Sequence, residues 1–255
     1  TFVYRGQSQD DVPSDVIQAT VHPWTRKIKK CAFQNARQLQ RMVIPSNVKK
    51  IGTEAFQGCT CLVELHLNRG LKCLRRDAFR SCTLLTGSTS SADEHDESVP
   101  TLLIPSTVDT VGWHVFADCT SLVNVKFQGS LQRLDEGIFS NCTSLVQVKL
   151  PLGLESIFPQ VFSGCIALTH IELSRGLKSI GSRAFENCTS LTSVSFPRGM
   201  QKIGERCFAG CVALAEVEFQ EGLTSIYDEG FLGCIALSAI AFPSTIYELF
   251  FRAFA

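Results

Sequence analysis

The nine residues RAFENCTSL (183–191) place a phenylalanine, Phe185, three positions before a cysteine, Cys188, and six before a leucine, Leu191. Close variants stand at EAFQGCTCL (54–62), HVFADCTSL (114–122), GIFSNCTSL (137–145) and RCFAGCVAL (206–214). A lone cysteine of this kind would suggest a catalytic nucleophile, since a thiolate attacks carbonyl groups readily. The recurrence of the whole stretch points instead to a repeat architecture.

The repeat has a fixed period of 23 residues, broken once by a gap of 37 between Phe79 and Phe116. The motif phenylalanines are Phe33, Phe56, Phe79, Phe116, Phe139, Phe162, Phe185, Phe208, Phe231 and Phe254. The cysteines follow the same step at Cys59, Cys82, Cys119, Cys142, Cys165, Cys188, Cys211 and Cys234. A leucine stands three residues after each of these cysteines.

Each leucine is followed by two apolar residues separated by one position, such as Val148 and Leu150. This spacing of two is typical of a strand with one buried face, and a proline such as Pro151 then ends the strand. One 23-residue unit cannot bury its apolar side chains alone, whereas stacked units can. We therefore expect a mainly β repeat solenoid of about ten coils, with parallel strands and a short helical or 3₁₀ turn around SRAFENC (182–188).

The unit LTSVSFPRGMQKIGERCFAGCVAL (191–214) resembles the leucine-rich repeat of the BspA-like type, and the resemblance extends over about residues 16–255. It implies a right-handed leucine-rich-repeat solenoid. It also implies binding or adhesion rather than catalysis, and it fixes no functional residues.

The overall composition limits the classes of partner. Lys plus Arg and Asp plus Glu are equal at 24 each in 255 residues, so the formal net charge is +0. A balanced charge argues against nucleic acid or an anionic membrane as partner, because both favour a basic excess. No apolar run approaches the roughly 18 residues of a membrane-spanning helix, so we expect no transmembrane segment.

The repeated cysteines are expected to be buried free thiols. Stacked coils would separate them by about 4.8 Å, whereas the Cβ atoms of a disulfide lie about 3.8 Å apart. Reduced thiols favour an intracellular, reducing compartment, with the cell surface or secretion as the alternative. A metal site at Cys59, Cys61 and His66 is disfavoured because no second Cys-x-x-Cys pair is present. Eight equivalent cysteines also argue against one catalytic cysteine, so we expect no enzyme and no cofactor.

Two NCT triplets, at Asn141 and Asn187, match the N-glycosylation sequon. Glycine holds the same place in other repeats, at Gly58, Gly164 and Gly210. Alternation of Asn with Gly favours a left-handed backbone turn ahead of the buried cysteine. Both interpretations remain open.

The single long gap holds an insertion, GSTSSADEHDESVP (87–100), rich in Ser, Thr and acidic residues. Insertions in repeat proteins map to loops on one face, often the binding face. A solvated loop, a partner contact and a cation site through Asp93, Glu94, Asp96 and Glu97 are the alternatives.

The outward residues of the first strand of each coil should form two columns on one face. Basic residues fall mainly in the first half of the chain and acidic ones in the second, a gradient that suits the orientation of a protein partner. The candidate partner-binding residues are Arg41, His66, Lys126, Lys149, His170, Glu172, Glu216 and Glu218.

Residues 1–24 are predicted to form an N-terminal cap and degenerate first coil, and residues 25–255 the solenoid. The apolar C-terminal end is predicted as a further contact. These features favour a non-catalytic protein–protein interaction module, as a scaffold or accessory structural subunit of a multi-subunit complex. A cell-surface adhesin or receptor-like ectodomain is the alternative.

Overall fold

A computed structural model describes residues 1–7, 12–87 and 99–255. The chain forms two compact units, Thr1–Gly129 and Ser130–Ala255. Each unit is a stack of coils in which short parallel strands alternate with turns.

Unit 1 has two kinds of strand, one on each side of its coils. The first kind is β1 (Phe2–Tyr4), β2 (Gln18–Val21), β4 (Arg41–Val43), β6 (Glu64–His66), β8 (Thr101–Ile104) and β10 (Asn124–Phe127). The second kind is β3 (Lys27–Ile28), β5 (Lys50–Ile51), β7 (Cys73–Leu74) and β9 (Thr110–Val111). The sheets run in the orders β1-β2-β4-β6 and β3-β5-β7-β9, and β8 pairs with β10. All of these pairs are parallel, which confirms the predicted solenoid.

Unit 2 repeats the same plan. Its strands of the first kind are β12 (Gln147–Lys149), β15 (Ser193–Ser195) and β17 (Glu216–Glu218). Those of the second kind are β11 (Arg133–Leu134), β13 (Ser156–Ile157), β14 (Ser179–Ile180), β16 (Lys202–Ile203), β18 (Ser225–Ile226) and β19 (Glu248–Leu249). The second kind forms one sheet in that order, and β15 pairs with β17. Partners such as Ile180 and Ile203 lie one period apart, so equivalent residues stack directly on one another.

Stacked phenylalanine rings fill the core, as the repeat predicts. In unit 2 the ring of Phe185 lies 5.2 Å from that of Phe162 and 5.1 Å from that of Phe208, and all three rings are fully buried. In unit 1 the centroids of Phe33 and Phe56 are 4.9 Å apart. Offset ring stacks of this kind add to the free energy gained by burial.

The segment around each core phenylalanine is a chain of turns, and the described residues contain no helix. Within the motif, the amides of Glu186 and Cys188 bond carbonyls three residues back. The alternate amides of Arg183, Phe185 and Asn187 bond the next coil instead. The predicted helical turn is thus a run of i+3 to i turns tied to its neighbour.

This alternation of hydrogen bonds goes with two residues of left-handed backbone conformation in each motif. One stands two positions before the phenylalanine and the other two positions after it. The position after it carries φ of 58° at Asn141 and 60° at Asn187, which confirms the turn predicted from the Asn/Gly alternation. The position before it is left-handed too, as at Gln160 (φ 58°) and Arg183 (φ 58°), a feature that the sequence did not suggest.

The N-terminal residues join the stack of unit 1. Strand β1 pairs with β2, which pairs with β4. Tyr4 is buried, and its ring lies 5.2 Å from that of Phe33. Its hydroxyl accepts a hydrogen bond of 3.0 Å from the amide of Lys29. That residues 1–24 act as a cap stays a prediction.

Candidate binding surface

The predicted strand-face residues lie on the outward side of the first-kind strands, where alternate residues are buried. In unit 1, β4 and β6 pair Arg41 with Glu64 and Val43 with His66. The Arg41 guanidinium lies 3.1 Å from the Glu64 carboxylate, and the His66 imidazole lies 3.8 Å from the same oxygen. Two of the candidate residues therefore share one carboxylate.

Lys126 and Lys149 lie on the same kind of strand, on β10 and β12 respectively. Lys126 is half-buried and stands in register with Leu103. Lys149 is exposed.

The other four candidates converge on one groove in unit 2, with a volume of about 950 Å³. Glu216 and Glu218 lie on β17, in register with Ser193 and Ser195 of β15. His170 and Glu172 occupy the same place in the preceding coil, where no regular strand forms.

The carboxylates of the groove differ in their bonding. Glu218 accepts hydrogen bonds from the Ser195 hydroxyl at 2.7 Å and from the Gln220 amide at 3.0 Å. The exposed side chains of Glu172 and Glu216 make no hydrogen bond or ion pair with the described residues. Two carboxylates in this groove are therefore available to an incoming partner.

The lining of the groove combines apolar and charged side chains. Ile171, Val194 and Phe196 border the groove, but their side chains are buried in the core. Its accessible apolar surface comes from Ala239 and Ala241, which are exposed, and from Ile240, which is half-buried. Arg175 is the basic residue of its lining. With three glutamates against one arginine, the groove is acidic, as the predicted charge gradient requires.

The repeated cysteines lie inside the stacks as free thiols. The thiol of Cys188 is fully buried and donates a hydrogen bond of 3.2 Å to the carbonyl oxygen of Phe162 in the preceding coil. The same bond to a core phenylalanine is made by Cys59, Cys82, Cys119, Cys165, Cys211 and Cys234. Each thiol thus ties two coils together.

Burial makes these thiols weak nucleophiles. Loss of solvation raises the pKa of Cys188 well above its usual value and that of Cys59 to about 12. A thiol in this state holds almost no reactive thiolate near neutral pH. The repeated motif is therefore a packing motif.

No metal centre emerges from the described ranges, which contain no cluster of three His, Cys, Asp or Glu side chains placed to hold an ion. Cys59, one of the three residues considered for zinc, is buried and bonded to the carbonyl of Phe33. The acidic residues Asp93 to Glu97 of the insertion lie outside the described residues. In the same described ranges no helix is long and apolar enough to cross a membrane.

Unit 1 also carries a basic cluster that was not predicted, because its residues lie outside the first-strand columns whose charges were compared. Residues 26–80 contain thirteen Lys and Arg against three acids, a formal net charge of +10. The signal was present in RKIKK (26–30), KK (49–50) and LKCLRR (71–76), which recur at the repeat period.

The model of the BspA-type leucine-rich repeat region, built of six copies, matches residues 26–98, 89–197 and 178–255. The chain belongs to the BspA-type leucine-rich repeat family. Comparison with curated protein sequences gave no significant match.

Comparison with solved structures found bacterial leucine-rich repeat proteins. A leucine-rich repeat protein from Bacteroides ovatus is 22% identical with a TM-score of 0.50, over 92% of this chain and 83% of that one. The pneumococcal vaccine antigen PcpA is 18% identical with a TM-score of 0.46, over 99% and 78%. The leucine-rich repeat protein of T. pallidum is 24% identical with a TM-score of 0.42, over 87% and 78%.

In this BspA-type chain the repeated positions are the buried ones. The outward strand positions differ from coil to coil, as between Arg41, Glu64 and Glu216.

Proposed function

We propose that this BspA-type protein is a non-catalytic protein-binding module and that the groove of unit 2 is its principal binding surface. The observation that supports this proposal is the pair of carboxylates, Glu172 and Glu216, that have no partner among the described residues and that share a groove with accessible apolar side chains. Charged groups of this kind orient a partner, while the accessible apolar side chains supply area to bury.

Each of the candidate residues has a role in this proposal. Glu172 and Glu216 pair with basic groups of the partner, and Glu218 is held in place by Ser195 and Gln220. His170 borders the same groove. Arg41, His66 and Lys126 of unit 1 and Lys149 of unit 2 are proposed as further partner contacts on strands of the same kind.

Within this function we favour a scaffold or accessory subunit of a larger assembly. Its support is the set of reduced, buried thiols and the overall neutral charge. The contact at the C-terminal end stays a prediction. The last coil of any solenoid exposes apolar side chains where it has no neighbouring coil, so such exposure does not by itself indicate a contact.

The alternative is a surface adhesin or receptor-like ectodomain. One observation favours it: both sequon asparagines, Asn141 and Asn187, are exposed. Glycan on either residue, detected as a mass shift removed by peptide N-glycosidase, would replace the scaffold role with this one.

Cross-linking mass spectrometry of the tagged protein in its native source tests the binding surface. We expect stoichiometric partners linked near the groove, and we expect Glu172→Lys/Glu216→Lys to remove them. The control, Glu136→Lys/Glu205→Lys, makes the same charge change outside the groove lining. Partners that persist on the first variant, or that are lost equally on both, would refute the groove as the binding surface.

A further inference from the structure

Unit 1 carries a second charged surface, on the outer side of the sheet β3-β5-β7. Lys27 of β3 stands in register with Lys50 of β5, and the inward neighbours Ile28 and Ile51 are buried. Basic residues flank these strands on both sides. We define the basic face as Arg26, Lys27, Lys29, Lys50, Lys72 and Arg75, all of them exposed.

Arg26 and Lys72 of the basic face lie in one row up the stack, with Lys49 between them and Asp109 after Lys72. The amide of Lys49 bonds the carbonyl of Arg26, and the amide of Lys72 bonds the carbonyl of Lys49. Adjacent strands of a sheet lie about 4.8 Å apart, and like charges directly opposite one another destabilise it.

Among the described residues of unit 1, no acid pairs with the basic face. None of the six side chains of the basic face makes a hydrogen bond or ion pair with the described residues. The nearby acids Glu54 and Asp77 are engaged by Arg76, at 3.4 and 3.1 Å. Asp109 accepts a hydrogen bond of 2.9 Å from the Thr110 hydroxyl.

Cys73 lies in register with Lys50, beneath the basic face. Burial raises the pKa of this thiol, the charges of Arg75, Lys50 and Lys27 oppose that rise, and the charge of Asp109 adds to it.

We propose that the basic face docks unit 1 onto an anionic lipid surface. Its charges spread in two directions, up the stack and along the coil, and a plane of headgroups can meet all of them at once. A single extended acidic chain can follow only one row. The six side chains also make no hydrogen bond with the described residues, so none of them is fixed in one orientation. Mobile charges suit the diffuse attraction of a lipid surface better than the fixed bidentate geometry of a contact with a protein or a base.

An exposed tryptophan supports this choice of occupant. Trp24 stands two residues before Arg26, and 83% of its surface is exposed. Tryptophan is enriched at the interface between membrane and water, where its ring lies among the headgroups. The neutral composition of the whole chain conceals this face, because acids elsewhere balance it.

Each Lys or Arg near a negatively charged membrane strengthens binding by about fivefold. Removing three charges should therefore weaken binding on the order of a hundredfold. Attraction of this kind also falls steeply with salt, because the screening length shortens from about 10 Å at 0.1 M to about 3 Å at 1 M.

Sedimentation with large vesicles tests the proposal. The purified protein should bind vesicles of 70% phosphatidylcholine and 30% phosphatidylserine at 0.1 M salt, and should not bind phosphatidylcholine alone. Lys27→Gln/Lys50→Gln/Lys72→Gln should abolish binding. The matched control, Lys178→Gln/Arg198→Gln/Lys202→Gln, removes the same charge from exposed residues of unit 2 and should still bind.

The outcomes separate the possible occupants. Binding that needs phosphatidylserine and the three lysines, and that disappears at 1 M salt, supports the proposal. No binding to the vesicles, or equal loss with both variants, overturns it. Tighter binding of a duplex DNA fragment or of polyglutamate than of the vesicles, with the same dependence on the three lysines, would assign the face to a different polyanion and also overturn it.

Discussion

Replacing Phe185 with alanine tests the stacked core most directly. Phe185 is fully buried, and its ring contacts those of Phe162 and Phe208 at 5.2 and 5.1 Å. Burial of a phenylalanine side chain contributes about 1.5–3 kcal/mol, and each ring pair adds about 0.5–1.5 kcal/mol. Together with incomplete closure of the cavity, the expected loss in free energy of unfolding is about 3–5 kcal/mol.

Urea denaturation followed by circular dichroism measures this loss. Phe158→Ala provides the control, since Phe158 lies in the same unit but is 39% exposed, with the Arg133 guanidinium 5.8 Å from its ring. We expect it to lose about 1 kcal/mol or less. A loss below about 1 kcal/mol for Phe185→Ala, or equal losses for the two variants, would refute the reasoning that the repeated phenylalanines form the core.

Three further substitutions test separate parts of the coil. Cys188→Ala removes a buried thiol, while the Phe162 carbonyl keeps its hydrogen bond to the Cys165 amide. We therefore expect the free energy of unfolding to fall by about 1–2 kcal/mol in the same assay. No change would show that the hydrogen bond of this thiol does not stabilise the stacking of coils. Gly204→Ala would place a Cβ 2.5 Å from the backbone of Gly181, so we expect it to lower the free energy of unfolding by about 1–3 kcal/mol. Its control, Gly176→Ala, would place a Cβ 3.7 Å from its nearest neighbour and should be nearly neutral. Equal effects of the two substitutions would contradict the close approach of adjacent coils. Gln160→Gly removes the steric strain of a non-glycine residue at φ 58°, so it should be neutral or should stabilise the protein by about 1 kcal/mol. The control, Gln132→Gly, should not stabilise it. Destabilisation by Gln160→Gly would show that this backbone strain is absent.

Much of the fold follows from the sequence because the repeat averages out local ambiguity. Ten phenylalanines in register determine which residues stack, and the spacing of Val148 and Leu150 identifies a strand face. The Asn/Gly alternation identifies one left-handed position for the same reason, since those residue types tolerate it. The second left-handed position was not predictable, because it is held by residues such as Glu54, Arg183 and Arg206 that carry no conformational signal.

The candidate surface was predictable only in part. Strand periodicity correctly placed Glu172, Glu216 and Glu218 on an outward face. It could not reveal that Ser195 and Gln220 donate hydrogen bonds to Glu218, while Glu172 has no such partner in the described part of the chain. Side-chain partners depend on rotamers rather than on strand register. The basic face was not predicted because charges one period apart were compared only on the first strand of each coil, whereas the basic face lies on the second.

The central claim is that the repeated cysteine is a buried packing residue and not a nucleophile. Alkylation of the native protein with iodoacetamide near neutral pH, followed by peptide mass spectrometry, measures this for every cysteine at once. The account predicts that Cys59, Cys82, Cys119, Cys165, Cys188 and Cys211 stay unmodified until the protein is unfolded, while the partly exposed Cys61 reacts. Rapid and selective modification of one buried cysteine such as Cys188 in the folded protein would contradict the account and restore a catalytic interpretation.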